Sequence, residues 1–397
     1  MNGLVLTETD RHHLECIGIN ETQLQRQIDL FRQPRGGCRL RRACTVGDGI
    51  SRILPEENEK YLQLHGEAEK SGRFIKFVPA SGAATRLFKV LYQIYGSYPG
   101  KEEISRQAVQ DDRSAREFLL FVDNMKHFPF YEDLKEILNR QGLPLEALLR
   151  HDRMETILAY LLTERGLNYG SLPKALVKFH RYGEGSRTAL EEHLEEAVQY
   201  VQDARGVCRL HFTITQMHEA KFRQFIQEIM PRIALRNRAT YEIDFSFQEH
   251  STDTIAVDLD NNPLRNKYGR LLFRPGGHGA LLANMNRLHG DLVYIKNIDN
   301  VAPDHRKALV SLWNRILGGY LVEVERAVHC FIGRLLREDF AALSGELEAF
   351  ARETLRVHFP EAYGQWASGE KRNFLFNKLN RPIRVCGMVP NRGEPGG

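Results

Sequence analysis

The feature that most constrains this chain is the repeated appearance of short apolar runs between stretches of helical length. Phe74–Pro79 (FIKFVP), Arg209–Ile214 (RLHFTI), Tyr241–Phe247, Leu292–Lys296 and Ile383–Val389 are rich in β-branched and aromatic residues and have strand length. Helix-length segments such as Ala189–Ala204 and Met217–Ile233 lie between them. Strands that alternate with helices predict an α/β fold with a mostly parallel, doubly wound sheet, because parallel neighbours need long crossovers that cover the faces. Such sheets bind ligands outside the carboxyl ends of their strands, so the loops that follow these runs are where chemistry is expected.

Two regions depart from the alternation. Residues 101–166 read as helix throughout, with Phe118, Val122 and Met125, then Leu134, Ile137 and Leu138, then Ile157, Tyr160 and Leu161 at helical spacing. A second helical block spans residues 307–357, where Leu312, Ile316 and Leu317 share a face. The expected organisation is an N-terminal helical segment over 1–72 and an α/β core over 73–397, with a helical insertion at 101–166.

Composition narrows the function classes. A chain of 397 residues that is 42% hydrophobic and 27% charged can bury a full core without disulfides or a structural metal. No apolar run approaches a membrane span, and the opening MNGLVLTETDRHHLE is too polar for a signal peptide, so a cytoplasmic protein without a membrane partner is expected. Cys16, Cys38, Cys44, Cys208, Cys330 and Cys386 are scattered and read as reduced, structural thiols. A net charge of +4 from 55 cations and 51 anions does not by itself suggest nucleic acid. Arg32, Arg35, Arg39, Arg41 and Arg42 crowd the segment around Gly36-Gly37, but no aromatic platform accompanies them, which favours a solvated loop.

Four local patterns could carry chemistry. In FVPASGAATR the strand runs into Ala80, Ser81, Gly82, Ala83 and Ala84, with a helix expected near Thr85; small residues and backbone N–H groups there suit phosphate oxygens, and Arg86 adds a charge able to grip one. A tight turn with no ligand is the alternative. In GSLPKALVKFH, Lys174 follows a proline at the entry to an extended segment, where a solvated lysine is the simpler reading; EEHLEEA follows closely. Gln248 follows a strand, and its amide could read a base edge, while Arg274-Pro275-Gly276-Gly277-His278-Gly279 suits backbone contact with a flat ligand or a plain glycine turn. In VYIKNIDNVAPD an apolar strand ends in Asn297, Asp299 and Asn300, oxygen donors for Mg2+ or simply turn formers. Nucleophile readings fare worse: there is no G-x-S-x-G, and Ser81 has no identifiable base. His211 and His218 read as packing or surface residues rather than metal ligands.

Together, in this order, the four patterns resemble the UDP-sugar pyrophosphorylases, nucleotidyltransferases with a GT-A-like α/β core. That resemblance matches A-S-G-A-A-T-R to the family's A-G-G-x-G-T-R, with Ser81 and Ala84 where glycines are usual. It matches Lys174 to the lysine of a P-K motif, Gln248 to a uracil-contacting glutamine (His250 stands where a proline is expected), P-G-G-H-G to a loop holding Gly277 against the base and His278 near nucleotide or sugar, and Asp299 to a metal-binding aspartate. The wording K-F-V-P-A-S-G-A-A-T-R, L-N-Y-G-x-L-P-K, S-T-D-T-I-A-V-D, R-P-G-G-H-G-A-L and I-K-N-I-D-N-V further resembles, over essentially the whole chain, a bacterial family known as domain of unknown function 4301. Members of that family continue past R-P-I-R-V-C-G-M-V to an F-x-P-V-K segment, so the resemblance implies that this chain is shortened at its C-terminus and lacks a phosphate-contacting lysine.

What the resemblance implies is nucleotidyl transfer: a sugar 1-phosphate attacks the α-phosphorus of a nucleoside triphosphate, UTP being favoured, and pyrophosphate leaves. Mg2+ held by Asp299 would bridge the phosphates, with Arg86 on the pyrophosphate and Lys174 on the α-phosphate or the attacking phosphate. The alternative is a protein of the same fold that binds a nucleotide or nucleotide sugar without turnover. Binding of an anionic surface or nucleic acid through Arg32–Arg42 is a more distant one.

Overall fold

The structure, a computed structural model, describes residues 6–33, 42–82, 84–183 and 185–390, with the side chains of Arg86 and His278 not described. The contacts divide the chain into two units, one of residues 1–37, 74–202 and 206–305, the other of 38–73, 203–205 and 306–397. The expected N-terminal segment 1–72 is therefore shared between them.

The first unit is built on a four-stranded parallel sheet: β1 (Phe74–Pro79), β2 (Val207–Ile214), β3 (Thr240–Phe247) and β4 (Leu292–Ile295), in the spatial order β4-β1-β2-β3. Four of the five expected strands are thus present and parallel. Ile383–Val389 is a correction: it forms no strand, and its Ile383 packs on the apolar core of the second unit. β-branched composition reports that a segment fits a pleated surface, not that a partner edge is available.

β1 and β2 are almost wholly buried, whereas β3 alternates exposed and partly covered positions as an edge strand does. Register is continuous: Ile75 pairs with Val293 and Phe77 with His211, while Phe212 pairs with Phe245. The chain winds from β1 to β3 in one direction and then returns to the far side of β1, so the order reverses between β1 and β4. In parallel sheets such a reversal opens a crevice at the carboxyl ends of the two strands.

Residues 101–166 are helical, but in pieces rather than throughout: Lys101–Val109, Arg113–Asp123, Tyr131–Arg140, Leu145–Arg150 and α1 (Met154–Leu162). Gly142 and Asp152, both at positive φ, mark two of the breaks. Phe118, Leu134, Leu138, Leu145, Ile157, Leu158 and Leu161 are at most 1% exposed, which makes this insertion an apolar core of its own. At about 1.5–3 kcal/mol per buried large side chain, that core is enough to hold short helices that would not form alone. The expected helix Ala189–Ala204 stops earlier, as α2 (Ala189–Ala197), capped by Thr188 and Glu191 in a reciprocal box. Helix α3 (Glu219–Asn237) connects β2 to β3. Two N-terminal helices, Glu8–Ile17 and Glu21–Arg32, pack Leu14, Leu24 and Ile28 against Ile255 and Leu271.

The second unit is helical. The expected block 307–357 is two helices, α4 (Asp304–Arg337) and Phe340–Glu353, which with Ser368–Leu379 pack around Val328, Leu343, Leu347 and Leu375. Ile316 is buried as expected, but Leu312 is 37% exposed; Ser311 and Lys307 lie on the buried side in its place. Among the described residues no helix is long and apolar enough to cross a membrane.

Candidate active site at the β1–β4 crevice

β1 ends at Pro79, and Ala80 donates its N–H to the Thr213 carbonyl of β2, so the A-S-G-A-A-T-R segment leaves directly from the sheet. The helix expected near Thr85 begins later: a 3-10 turn covers Ala84–Arg86 and the α-helix starts at Lys89. Ala80 and Ala84 are buried, Ser81 is half-buried, and Gly82 and Thr85 are exposed. A Cβ on Gly82 would meet nothing within 4 Å, so its backbone faces open space. Ala83 lies outside the described residues, and so do the side chains of Arg86 and His278.

The second motif closes onto this loop. Lys174 N–H donates to the Gly82 carbonyl at 3.1 Å and Ala84 N–H to the Leu172 carbonyl at 3.2 Å, which locks the two segments in a short two-way pairing. The wording L-N-Y-G-S-L-P-K now has a physical reason. Asn168 adopts a left-handed φ of 56°, which asparagine tolerates, and a Cβ on Gly170 would come 2.6 Å from the Leu162 carbonyl.

On the other wall of the crevice, β4 continues past its last ladder residue. Lys296 N–H donates to the Phe77 carbonyl and Ile298 N–H to the Pro79 carbonyl, carrying the chain to Asp299. There the Lys174 ammonium meets Asp299 Oδ2 at 2.6 Å, with the two side chains 18% and 37% exposed. Gly82, Lys174 and Asp299, three residues singled out by sequence, are thus brought together where the winding reverses.

Gln248 and the glycine loop form a separate group at the end of β3. Gln248 Nε2 donates to the Gly276 carbonyl at 3.2 Å. A Cβ on Gly276 would lie 2.6 Å from the Thr252 carbonyl, so a side chain there would force the loop apart, whereas Gly277 is open. Behind them Asn284 donates to Ser246 Oγ and to the Phe247 carbonyl, both at 2.8 Å. His211 Nε2 lies 2.7 Å from the same hydroxyl and stacks on Phe77. His211 and His218 are both buried, and burial lowers the pKa of each.

Helix α2 supports both walls and was missed as a functional element. All nine of its residues are buried, including Glu191, Glu192, His193, Glu195 and Glu196. Glu191 and Glu195, one helical turn apart, meet Arg232 and Arg236 of α3 at the same spacing. Glu192 receives the Tyr182 hydroxyl at 2.5 Å and His180 Nδ1 at 3.0 Å. Glu196 takes Lys296 Nζ on both oxygens at 2.6 and 2.7 Å and Tyr200 OH at 2.6 Å, with Lys76 Nζ 3.6 Å away. Burial pushes the Glu196 carboxyl up, but the two lysines and these hydrogen bonds outweigh it and hold the pKa at about 2. His193 is fully buried; desolvation first, and the Lys76 charge second, push its pKa well below the ordinary range. The imidazole is therefore neutral, and since its Nε2 faces the Asn297 and Ile298 carbonyls at 3.2 Å each, Nε2 carries the hydrogen. The signals were a lysine inside an apolar strand, Lys76, and the run EEHLEEA, whose composition reads as a solvated face.

Among the described residues no three His, Cys, Asp or Glu side chains converge as a metal cage. A partly exposed carboxylate such as Asp299 nonetheless fits Mg2+, which commonly takes one or two protein carboxylates and fills its shell with water and phosphate oxygens. Arg32 and Arg42 are the only described members of the arginine-rich segment; Arg35, Arg39 and Arg41 lie outside the described residues, and Arg42 is paired with Asp48.

The whole-chain wording identified above is matched by a family pattern over residues 7–397. The chain belongs to the family described as domain of unknown function DUF4301. No curated protein matches it. A solved structure that it resembles is the uridine diphosphate N-acetylglucosamine pyrophosphorylase from Trypanosoma brucei in complex with an inhibitor, at 14% identity and a TM-score of 0.39. The match covers 80% of this chain and 50% of that one, so the DUF4301 chain spans about half the length of that protein.

Proposed function

We propose that this DUF4301 protein is a nucleotidyltransferase of GT-A-like design that takes a nucleoside triphosphate, with UTP favoured, and a sugar 1-phosphate. The observation that carries the reading is the Lys174–Asp299 pair at 2.6 Å, beyond the carboxyl ends of β1 and β4 where the strand order reverses. The resemblance to the pyrophosphorylases gives both residues roles in phosphate chemistry, and they lie 125 positions apart in the chain. The sheet supplies the span: Asp299 follows β4 at one edge and Gln248 follows β3 at the other, three strand spacings or about 14 Å apart at the carboxyl ends. An extended nucleotide can bridge that distance with its base by Gln248 and Gly277 and its phosphates by Gly82, Lys174 and Asp299.

In the reaction, an oxygen of the sugar phosphate forms a bond to the α-phosphorus, and the bond from that phosphorus to the β-phosphate bridging oxygen breaks, releasing pyrophosphate. Little covalent help is needed; positioning and neutralisation of spreading charge carry the catalysis. Lys174 leaves Asp299 for the α-phosphate or the attacking phosphate, and the backbone at Ala80, Ser81 and Gly82 lies along the phosphates. From the resemblance alone, Arg86 would neutralise the leaving pyrophosphate and His278 would serve the nucleotide or sugar; the side chains of both lie outside the described residues. Mg2+, when held by Asp299, supplies charge neutralisation between the phosphates.

Pyrophosphate release from UTP and a panel of sugar 1-phosphates, run beside calorimetric UTP titration with Mg2+, tests the reading. Turnover that falls by about 10²–10³ in Lys174→Ala or Asp299→Ala, with folding intact, is expected. UTP binding without turnover selects the binding-only alternative, and the absence of both sinks the proposal.

A further inference from the structure

Helix α2 grips three consecutive residues just before Asp299. Glu196 holds the Lys296 side chain through both carboxylate oxygens, and His193 faces the carbonyls of Asn297 and Ile298. The same helix reaches the opposite wall, where Ala189 N–H donates to the Val177 carbonyl in the segment that begins with Lys174. One helix therefore contacts both the segment before Asp299 and the segment that begins with Lys174.

We infer that His193 is a positioning residue: its Nε2–H, shared between the Asn297 and Ile298 carbonyls, fixes the turn that presents the Asp299 carboxylate to Lys174. The inference rests on the proposed role of Asp299 towards phosphates. His193 is 0% exposed, and among the described residues its Nδ1 has no hydrogen-bond partner. A buried nitrogen without a partner is costly, and an apolar side chain of similar size would fill the space without that cost. What the imidazole alone supplies is a flat, stiff N–H on a helix whose own His193 carbonyl is held by Lys76 Nζ at 3.1 Å. The turn has few other ties: Asn300 N–H closes it onto Asn297, and Ile298 N–H ties it to Pro79. Misplacement of a reacting group by about 1 Å costs on the order of 10²-fold, which is the scale on which a lost anchor acts.

The test compares His193→Gln, whose amide nitrogen reaches the Nε2 position, with His193→Leu, which fills the space without a donor. Each is made alone and with Asp299→Asn. UTP is titrated with and without Mg2+, and backbone amide exchange is followed without ligand. The Leu variant is expected to weaken Mg2+-dependent UTP binding about 10- to 100-fold and to speed exchange at Ile298 and Asn300 by a similar factor, while Gln stays within about 3-fold of wild type. With Asp299→Asn already present, His193→Leu should cost less than about 2-fold further, because a positioning residue acts only through the group it positions. Equal losses in both backgrounds, or unchanged exchange at the two amides, overturn the inference. If the wild type binds no UTP, the functional proposal falls, and exchange alone decides: acceleration confined to 296–300 upholds the positioning, and a uniform or absent effect overturns it. Should Leu not be tolerated, Asn, whose amide stops at the Nδ1 position, makes the same comparison.

Discussion

Helices α1 and α2 are nine residues each and lie in the same unit, yet they are buried by opposite means. In α1, METILAYLL, six residues are buried and all of them are apolar. In α2, ALEEHLEEA, all nine are buried and five can ionise. The first is held by removal of hydrocarbon from water. The second is tolerated because each carboxylate meets a cation or a hydroxyl supplied by β1, β4, α3 or the Lys178–Tyr182 strand. Packing of the first kind adapts to small changes, whereas a buried ion pair fixes one arrangement and penalises any other. α2 is therefore suited to holding two walls of a site at a set distance, and α1 to filling space.

The largest expected effect is at Glu196. Replacement by Ala removes the carboxylate that faces Lys296 and Lys76 in the interior and should cost about 3–5 kcal/mol in urea unfolding. Leu158→Ala in α1 should cost about 2–5 kcal/mol through a cavity alone. A cost below about 3 kcal/mol for Glu196→Ala would break the contrast between the helices. The second effect is pH dependence. With its carboxyl lowered from 4.5 to about 2, Glu196 binds protons less readily folded than unfolded. Its contribution, about 3 kcal/mol, is present above pH 4.5 and lost as pH falls through about 2. Acid unfolding of Leu158→Ala should retain that slope and that of Glu196→Gln should lose it; equal slopes would remove the electrostatic account of α2. The smallest effect belongs to the outer face. The Arg232 side chain is 58% exposed, so Arg232→Ala should cost only about 0–1 kcal/mol, and a larger loss would extend the rigid network to α3.

The strands of the sheet were legible because their periodicity is local: Phe74–Pro79 is a strand over the bounds read from sequence. Ile383–Val389 has similar composition, but whether an edge lies beside it is a property of the fold. Asp299 was legible in its own motif as an oxygen donor and Lys174 only through the family resemblance, and their contact depends on a chain reversal that no window of sequence contains. His193 and Glu196 were not legible at all, since a Glu-rich helix looks solvated until partners from several distant elements are counted. The break at Ala197 has the same origin: Tyr200 lies beyond the helix with its hydroxyl on Glu196, an arrangement that helix propensity does not anticipate.

The reversal of strand order also has a consequence in time. β1 is an interior strand whose two neighbours are encoded far downstream, with β4 roughly 220 residues later, so a chain growing at 5–20 residues per second waits about 10–40 s before both edges of β1 can be paired. The apolar helical insertion, made of short-range contacts, emerges within that interval and can fold first. Nascent chains of this protein therefore carry a finished helical domain and an unpaired, apolar strand side by side, and the yield of native protein depends on how that strand is shielded until β4 arrives.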